Sequence, residues 1–229
     1  MKRLGLALVL ASSLWVARTD AADLRVGIAA EATYIDPHAQ EIGPNVDVRM
    51  HIFDTLVRIG PNEELQPGLA ESWRLIEAPL TWEFRLRPGV RFHDGTPLTA
   101  QDVVFSFTRA PAVPGAPSTY SRHLRNVESV TAVDDLTLRV RTRRPSTLLP
   151  ANLAHIAIVD RRIGAAATPA SFVSGASANG TGPYRLVEFV PGDRLVLAAN
   201  PHYWGAPRPW PRTSLGWKRP ATGRCGSRG

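Results

Sequence analysis

The chain has 229 residues, of which 44% are hydrophobic and 21% charged, with a formal net charge of +7 and a single cysteine, Cys225. This is the composition of a globular protein long enough to bury a sizeable core, which argues against a disordered chain and a polytopic membrane protein. One cysteine excludes a disulfide framework, a four-cysteine zinc site and a CxxC redox pair.

In chain order, Lys2-Arg3 precede an apolar run from Leu4 to Ala17, and Thr19-Asp20-Ala21 offers small residues at the −3 and −1 positions of a cleavage site. Residues 1–21 are expected to be a secretory signal peptide, the run being shorter than a membrane span. The alternatives are an amphipathic helix or an uncleaved anchor. No cysteine lies near the site, so the protein is expected to be periplasmic and not a lipoprotein.

Leu24–Ala29 reads as a first strand and Asp36-Pro37 as a turn. Val46–Val57 places Val46, Met50, Phe53, Leu56 and Val57 at helical spacing, until Gly60-Pro61-Asn62 breaks the pattern. Pro67–Trp73 reads as a short helical turn. Thr81–Leu86 alternates strictly, with Trp82, Phe84 and Leu86 on one face, which predicts a half-buried strand. Val90–Phe92 continues as a short strand. Thr99 with Asp102 three residues on predicts a capped helix carrying Val103, Val104, Phe107 and Ala110.

Val127–Val133 and Leu136–Arg143 flank Asp134-Asp135, and Tyr184–Val190 and Arg194–Ala199 flank Pro191-Gly192-Asp193; both pairs predict β-hairpins. Between them, Leu148–Leu153 is a predicted short helix, Ile156–Val159 a buried apolar stretch and Ala165–Gly182 a loop. The sum is a mixed α/β (α+β) fold with many antiparallel pairs.

Charge follows the same division. Residues 22–210 hold 19 Arg against 19 acidic residues, whereas residues 211–229 carry five basic residues and no acid. A nucleic-acid binder places its surplus charge on the folded surface, so the neutral body argues against nucleic acid as a partner. The segment 211–229 is rich in Gly, Pro, Arg, Ser and Thr and is expected to be a disordered basic tail.

No residue pattern marks catalysis: there is no GxSxG elbow and no GxxxxGK[ST] loop. The six histidines show no HxH, HxxxH or HExxH spacing, so no metal site or cofactor is expected. His93 in its turn reads as a local hydrogen-bonding residue, and Trp82 and Phe84 as core. Glu31, Thr33 and Tyr34 follow the first strand and precede a turn, where binding residues sit on a rigid scaffold; they are the candidate substrate-binding residues.

Five segments in order carry a resemblance. TWEFRLRPGVRFHDGTPLTAQDVVFSFTR (81–109) is the strongest. Phe53–Trp73, Leu24–His38, Val130–Val159 and Gly180–Gly205 complete the series. Together they resemble the extracellular solute-binding proteins of family 5, the dipeptide-, oligopeptide- and nickel-binding components of ABC importers. The resemblance implies a periplasmic binding protein-like class II fold and no enzymatic activity. It also implies a peptide or other small solute as ligand, and ABC permease subunits as partners of a monomer. Glu31, five residues before Asp36, matches the position where oligopeptide-type members place a ligand-facing acid. The resemblance stops near Trp210, so residues 22–210 are expected to be the first lobe and hinge region only, truncated by a frame change. A truncated remnant that binds nothing, or a small exported module using its basic tail, are the alternatives.

Overall fold

The computed structural model describes residues 23–27, 30–77, 79–116, 120–206 and 212–216. The expected signal peptide lies outside them. No helix among the described residues is long and apolar enough to cross a membrane.

Among the described residues, ten strands and six α-helices form two sheets, a small ribbon and their covering helices. β1 (Asp23–Gly27) is followed by α1 (Gly43–Ile52), β2 (Val57–Ile59), β3 (Leu65–Pro67), β4 (Ala70–Glu77) and β5 (Thr81–Leu86). Then come α2 (Ala100–Arg109), α3 (Ser121–Leu124), β6 (Val127–Ala132), β7 (Thr137–Thr142) and α4 (Leu149–Leu153). α5 (Arg161–Gly164), α6 (Pro169–Val173), β8 (Tyr184–Val190), β9 (Arg194–Ala199) and β10 (Arg212–Gly216) complete the chain.

The antiparallel sheet β4-β5-β7-β6 is built on the alternation of β5. Phe84 and Leu86 are fully buried, while Glu83 on the opposite face faces Arg74 of β4 and Arg139 of β7 in register. Glu83 Oε1 accepts from Arg74 Nη2 at 2.7 Å and Oε2 from Arg139 Nη2 at 3.2 Å. α2 covers the buried face. Its start is the expected capping box: Asp102 Oδ2 accepts from Thr99 N at 2.9 Å, and Asp102 Oδ1 also accepts from Arg161 N at 3.1 Å.

The second sheet has the order β1-β10-β9-β8, with β1 and β10 parallel and the other pairs antiparallel. Here the expectation of a disordered segment over 211–229 gives way: Arg212–Gly216 is an inner strand, specified by its two neighbours rather than by its own composition. Residues 217–229 lie outside the described residues.

Further elements differ from the sequence reading. Val90–Phe92 is not a strand but carries one isolated bridge, Arg91 to Pro97, across the tight turn at Gly95. α5 has no counterpart in that reading; Asp160 caps it by accepting from Arg162 N. Pro67–Trp73 is extended, because Trp73 and Leu75 pair with Phe84 and Trp82 of β5. α1 ends at Ile52 rather than Val57, since Phe53 turns extended (φ −123°, ψ 144°) and Thr55 bridges to Ala157. Met50, expected in the core, is 62% exposed, and α1 instead buries Asn45, Val48, Arg49 and Ile52. α6 lies in the segment expected to be a loop; Thr168 and Ser171 form a reciprocal cap at its start.

Two apolar cores result. One holds Leu56, Val57, Phe84, Leu86, Phe92, Val103, Phe107 and Leu138 among others; the second holds Ile35, Val48, Ile52, Phe53, Phe172, Leu195 and Leu197. The Gly180-Thr181-Gly182 segment passes against the end of α1, with Gly182 N donating to Ile52 O at 3.0 Å. A Cβ on Gly182 would lie 2.6 Å from the Ile52 carbonyl carbon, which is backbone and cannot turn aside. Gly182→Ala is therefore expected to cost about 3 kcal/mol, as overpacking against a rigid neighbour does; equilibrium urea unfolding measures it.

Candidate functional site

The residues that follow β1 are held by the start of α1. Buried Asn45 Oδ1 accepts from Thr33 N at 2.8 Å and from Tyr34 N at 3.4 Å, which satisfies donors of an irregular segment. Thr33 is exposed and Tyr34 half-buried. Glu31 is directed elsewhere: its Oε1 accepts from Gly192 N, in the β8–β9 turn, at 2.5 Å. The structure thus brings Thr33 and Tyr34 together on α1 and ties Glu31 to a hairpin turn.

Just beyond, Asp36, His38 and Arg109 form a buried knot. Arg109 Nη1 and Nη2 donate to Asp36 Oδ1 and Oδ2 at 2.8 and 2.6 Å, a bidentate pair between this segment and α2. His38 Nε2 lies 2.8 Å from Ala157 O, and Nδ1 lies 3.0 Å from Arg109 Nη1. The neutral ring protonated on Nε2 satisfies both contacts, donating to the carbonyl and accepting from the guanidinium. Burial, reinforced by the Arg109 charge, lowers its pKa to about 4.

A cleft of about 340 Å³ opens beside α1, lined by Val46, Arg49, Met50, Asp54, Arg58 and Tyr203, with Phe53, Thr55, Ile59, Ala154, His155 and Pro183. Asp54 organises it. Its Oδ1 accepts from Arg58 Nη2 at 2.7 Å, and its Oδ2 from Thr181 Oγ1 at 3.0 Å and Trp204 Nε1 at 2.9 Å. Arg58 also donates to Tyr203 Oη at 3.1 Å and stacks 4.6 Å over the Trp204 ring. Burial works against the Arg58 charge, but Asp54 outweighs it and holds the pKa above its ordinary value. Arg49 donates to His155 O and lies over Tyr120. The cleft can therefore offer fixed cations and an apolar floor to a polar solute.

Sequence reasoning missed these lining residues. Arg49, Asp54 and Arg58 stand five and four residues apart, which is no recognisable pattern, and only the extended turn after Ile52 sends them to one cleft. His93 does form hydrogen bonds, though to a distant loop: its Nδ1 accepts from Gly180 N at 3.2 Å, and its Nε2 lies 3.2 Å from Gly182 O. Histidine spacing in the sequence also does not reveal one grouping. His123 and His155 stack with Glu41 beside them, although 32 residues separate the two rings in sequence.

Residues 64–213 match the model of the bacterial extracellular solute-binding proteins, family 5. The chain belongs to this family. It is 29% identical to the periplasmic oligopeptide-binding protein OppA of Salmonella typhimurium over 199 residues, covering 76% of this chain and 35% of that protein. It is also 29% identical to the glutathione-binding protein GsiB of Pectobacterium atrosepticum, covering 89% of this chain and 38% of that protein. The solved structure of Burkholderia pseudomallei OppA superposes with a TM-score of 0.74 at 27% identity, covering 86% of this chain and 42% of that one. The chain thus spans about two-fifths of the length of these relatives. The family is one of transport binding proteins and not of enzymes, as the sequence implied.

Two expectations follow. Asp54→Ala leaves the Arg58 charge without its carboxylate and strips Thr181 and Trp204 of their acceptor, so it should destabilise by about 3 kcal/mol, read by thermal unfolding. For His38 the folded pKa, about 4, lies below the unfolded value near 6.5. Its contribution is complete above pH 6.5 and is lost as pH falls from there to 4, by roughly 3 kcal/mol. His38→Gln, which lacks that titration, should flatten this part of the stability profile; urea midpoints between pH 4 and 7 check it.

Proposed function

We propose that this chain is the first-lobe portion of a peptide-capturing component of an ABC importer, acting as a monomer outside the cytoplasm and delivering its solute to a membrane permease. The observation that carries the reading is the match of residues 64–213 to family 5, on a chain whose cleft is lined by fixed charges. The names of the relatives support peptides or peptide-like solutes. The apolar run after Lys2-Arg3 supports export, with residues 1–21 removed.

In this reading Thr33 and Tyr34 form the rim, and Arg49, Arg58 and Tyr203 meet the polar groups of the peptide backbone. Glu31, held by Gly192, becomes available to a ligand only if that hydrogen bond opens. A single wall forgoes the contacts that a second wall supplies on closure, so affinity should be millimolar, about −4 kcal/mol. Titrating the full chain with tri- and tetrapeptides, followed by backbone amide resonances, should move Tyr34, Arg49, Met50 and Arg58 saturably. Unmoved resonances at these positions up to about 10 mM peptide would refute the reading and leave the non-binding remnant.

A further inference from the structure

We propose that Glu41, His123 and His155 form a site for a first-row divalent cation such as Zn²⁺. The three residues come from separate parts of the chain: Glu41 precedes α1, His123 lies in α3 and His155 follows α4. Their donor atoms nevertheless all lie within 4.8 Å of one another. Glu41 Oε2 is 2.9 Å from His123 Nε2, and its Oε1 is 2.8 Å from His155 Nδ1. The two imidazoles are stacked, 4.2 Å apart and 9° from parallel, so both present a nitrogen to the same carboxylate.

Two imidazoles and one carboxylate are a recognised zinc donor set, which leaves further coordination positions free. Metal–ligand distances of about 2.0–2.2 Å place neighbouring donors roughly 3.3 Å apart. To meet that spacing the two Glu41–histidine contacts open by about half an ångström, and the widest donor pair, within 4.8 Å, closes by up to about 1.5 Å, which side-chain rotation can supply. The Glu41 and His123 side chains are 10% and 9% exposed, whereas His155 is 37% exposed, so the site is walled on one side and open on the other. His155 also borders the cleft.

The hydrogen bonding around His123 is the second observation. Its Nε2 lies 3.1 Å from Arg122 Nε, a donor, and 2.9 Å from Glu41 Oε2, an acceptor. A neutral imidazole nitrogen serves one of these roles and not both. Donating to Glu41 leaves Arg122 Nε without that acceptor, and accepting from Arg122 sets an unprotonated nitrogen against the carboxylate, a contact that needs a positive charge to offset it. At present the Arg122 guanidinium supplies that charge from outside, donating to Glu41 Oε2 at 2.5 Å. Its side chain is 62% exposed and free to swing into solvent, so a metal ion can take its place. Arg122 is thus a competitor held at the mouth of the site.

The test is isothermal titration of the full chain, stripped with EDTA, with zinc chloride alone. The expected result is one ion per chain. His155→Ala and Glu41→Gln should each lower affinity at least tenfold, as loss of a ligand does. Arg122→Ala should raise it about fivefold by removing the competing charge. His51→Ala, outside the cluster, should change nothing. Circular dichroism of each variant reports folding, and X-ray absorption should show a nitrogen and oxygen shell with two imidazoles. No saturable uptake overturns the proposal, as does native affinity in folded His155→Ala or Glu41→Gln, or an equal loss in His51→Ala.

Discussion

Two segments, 52–57, which leaves the end of α1, and 156–159, are shared by both apolar cores, and the fold depends on that sharing. Along 156–159 the side chains alternate: Ile156 and Ile158 enter the core under β5, while Ala157 and Val159 enter the core under β9. Along 52–57 the assignment changes once, with Ile52 and Phe53 in the second core and Leu56 and Val57 in the first. The segments are joined by the Thr55–Ala157 bridge and by Ile158 N donating to Asp54 O at 2.9 Å. A strand buried on both faces must satisfy its backbone along its edges, and these bonds do so. Asp54 stands where the segment crosses between the cores, which is why one carboxylate can hold a β2 arginine, the loop before β8 and a tryptophan beyond β9.

The cleft beside α1 follows from this arrangement. α1 stops at Ile52 because the chain must become extended to reach both cores, and the stop turns Arg49, Asp54 and Arg58 toward one opening. The Asp36–Arg109 pair fixes the approach to α1 in the same way, by anchoring an irregular segment on the helix that covers the other sheet. Rigid scaffold and irregular rim are then adjacent, which is the geometry expected of a binding wall.

Much of the fold was legible in local chemistry. Asp134-Asp135 and Pro191-Gly192-Asp193 marked two hairpins whose strands fall almost where expected; Gly192 takes φ 79°, a value that the turn requires and glycine allows. Thr99 and Asp102 marked the start of α2. What escaped depended on partners far along the chain. Pro67–Trp73 lacks strict alternation, and only β5 opposite makes it a strand. Arg212–Gly216 lies in a segment whose composition signals disorder. The cleft-lining charges and the Glu41–His123–His155 cluster have no local signature, because their proximity is created by packing. The Thr168–Ser171 cap of α6 and the Asp160 cap of α5 were local signals available but unread, the first hidden in a run of small residues.

The sheet order β1-β10-β9-β8 carries a kinetic consequence. Among the described residues β1 pairs with β10 alone, so β1 finds its ladder only when β10, almost 190 residues later, has emerged. The β4-β5-β7-β6 sheet, built from neighbours close in sequence, faces no such delay. Loop-closure entropy makes pairing across the length of a chain slow, and synthesis from one end makes it late. β1 is therefore the last of the described strands to lock, and until then the β10 edge of its sheet stays open.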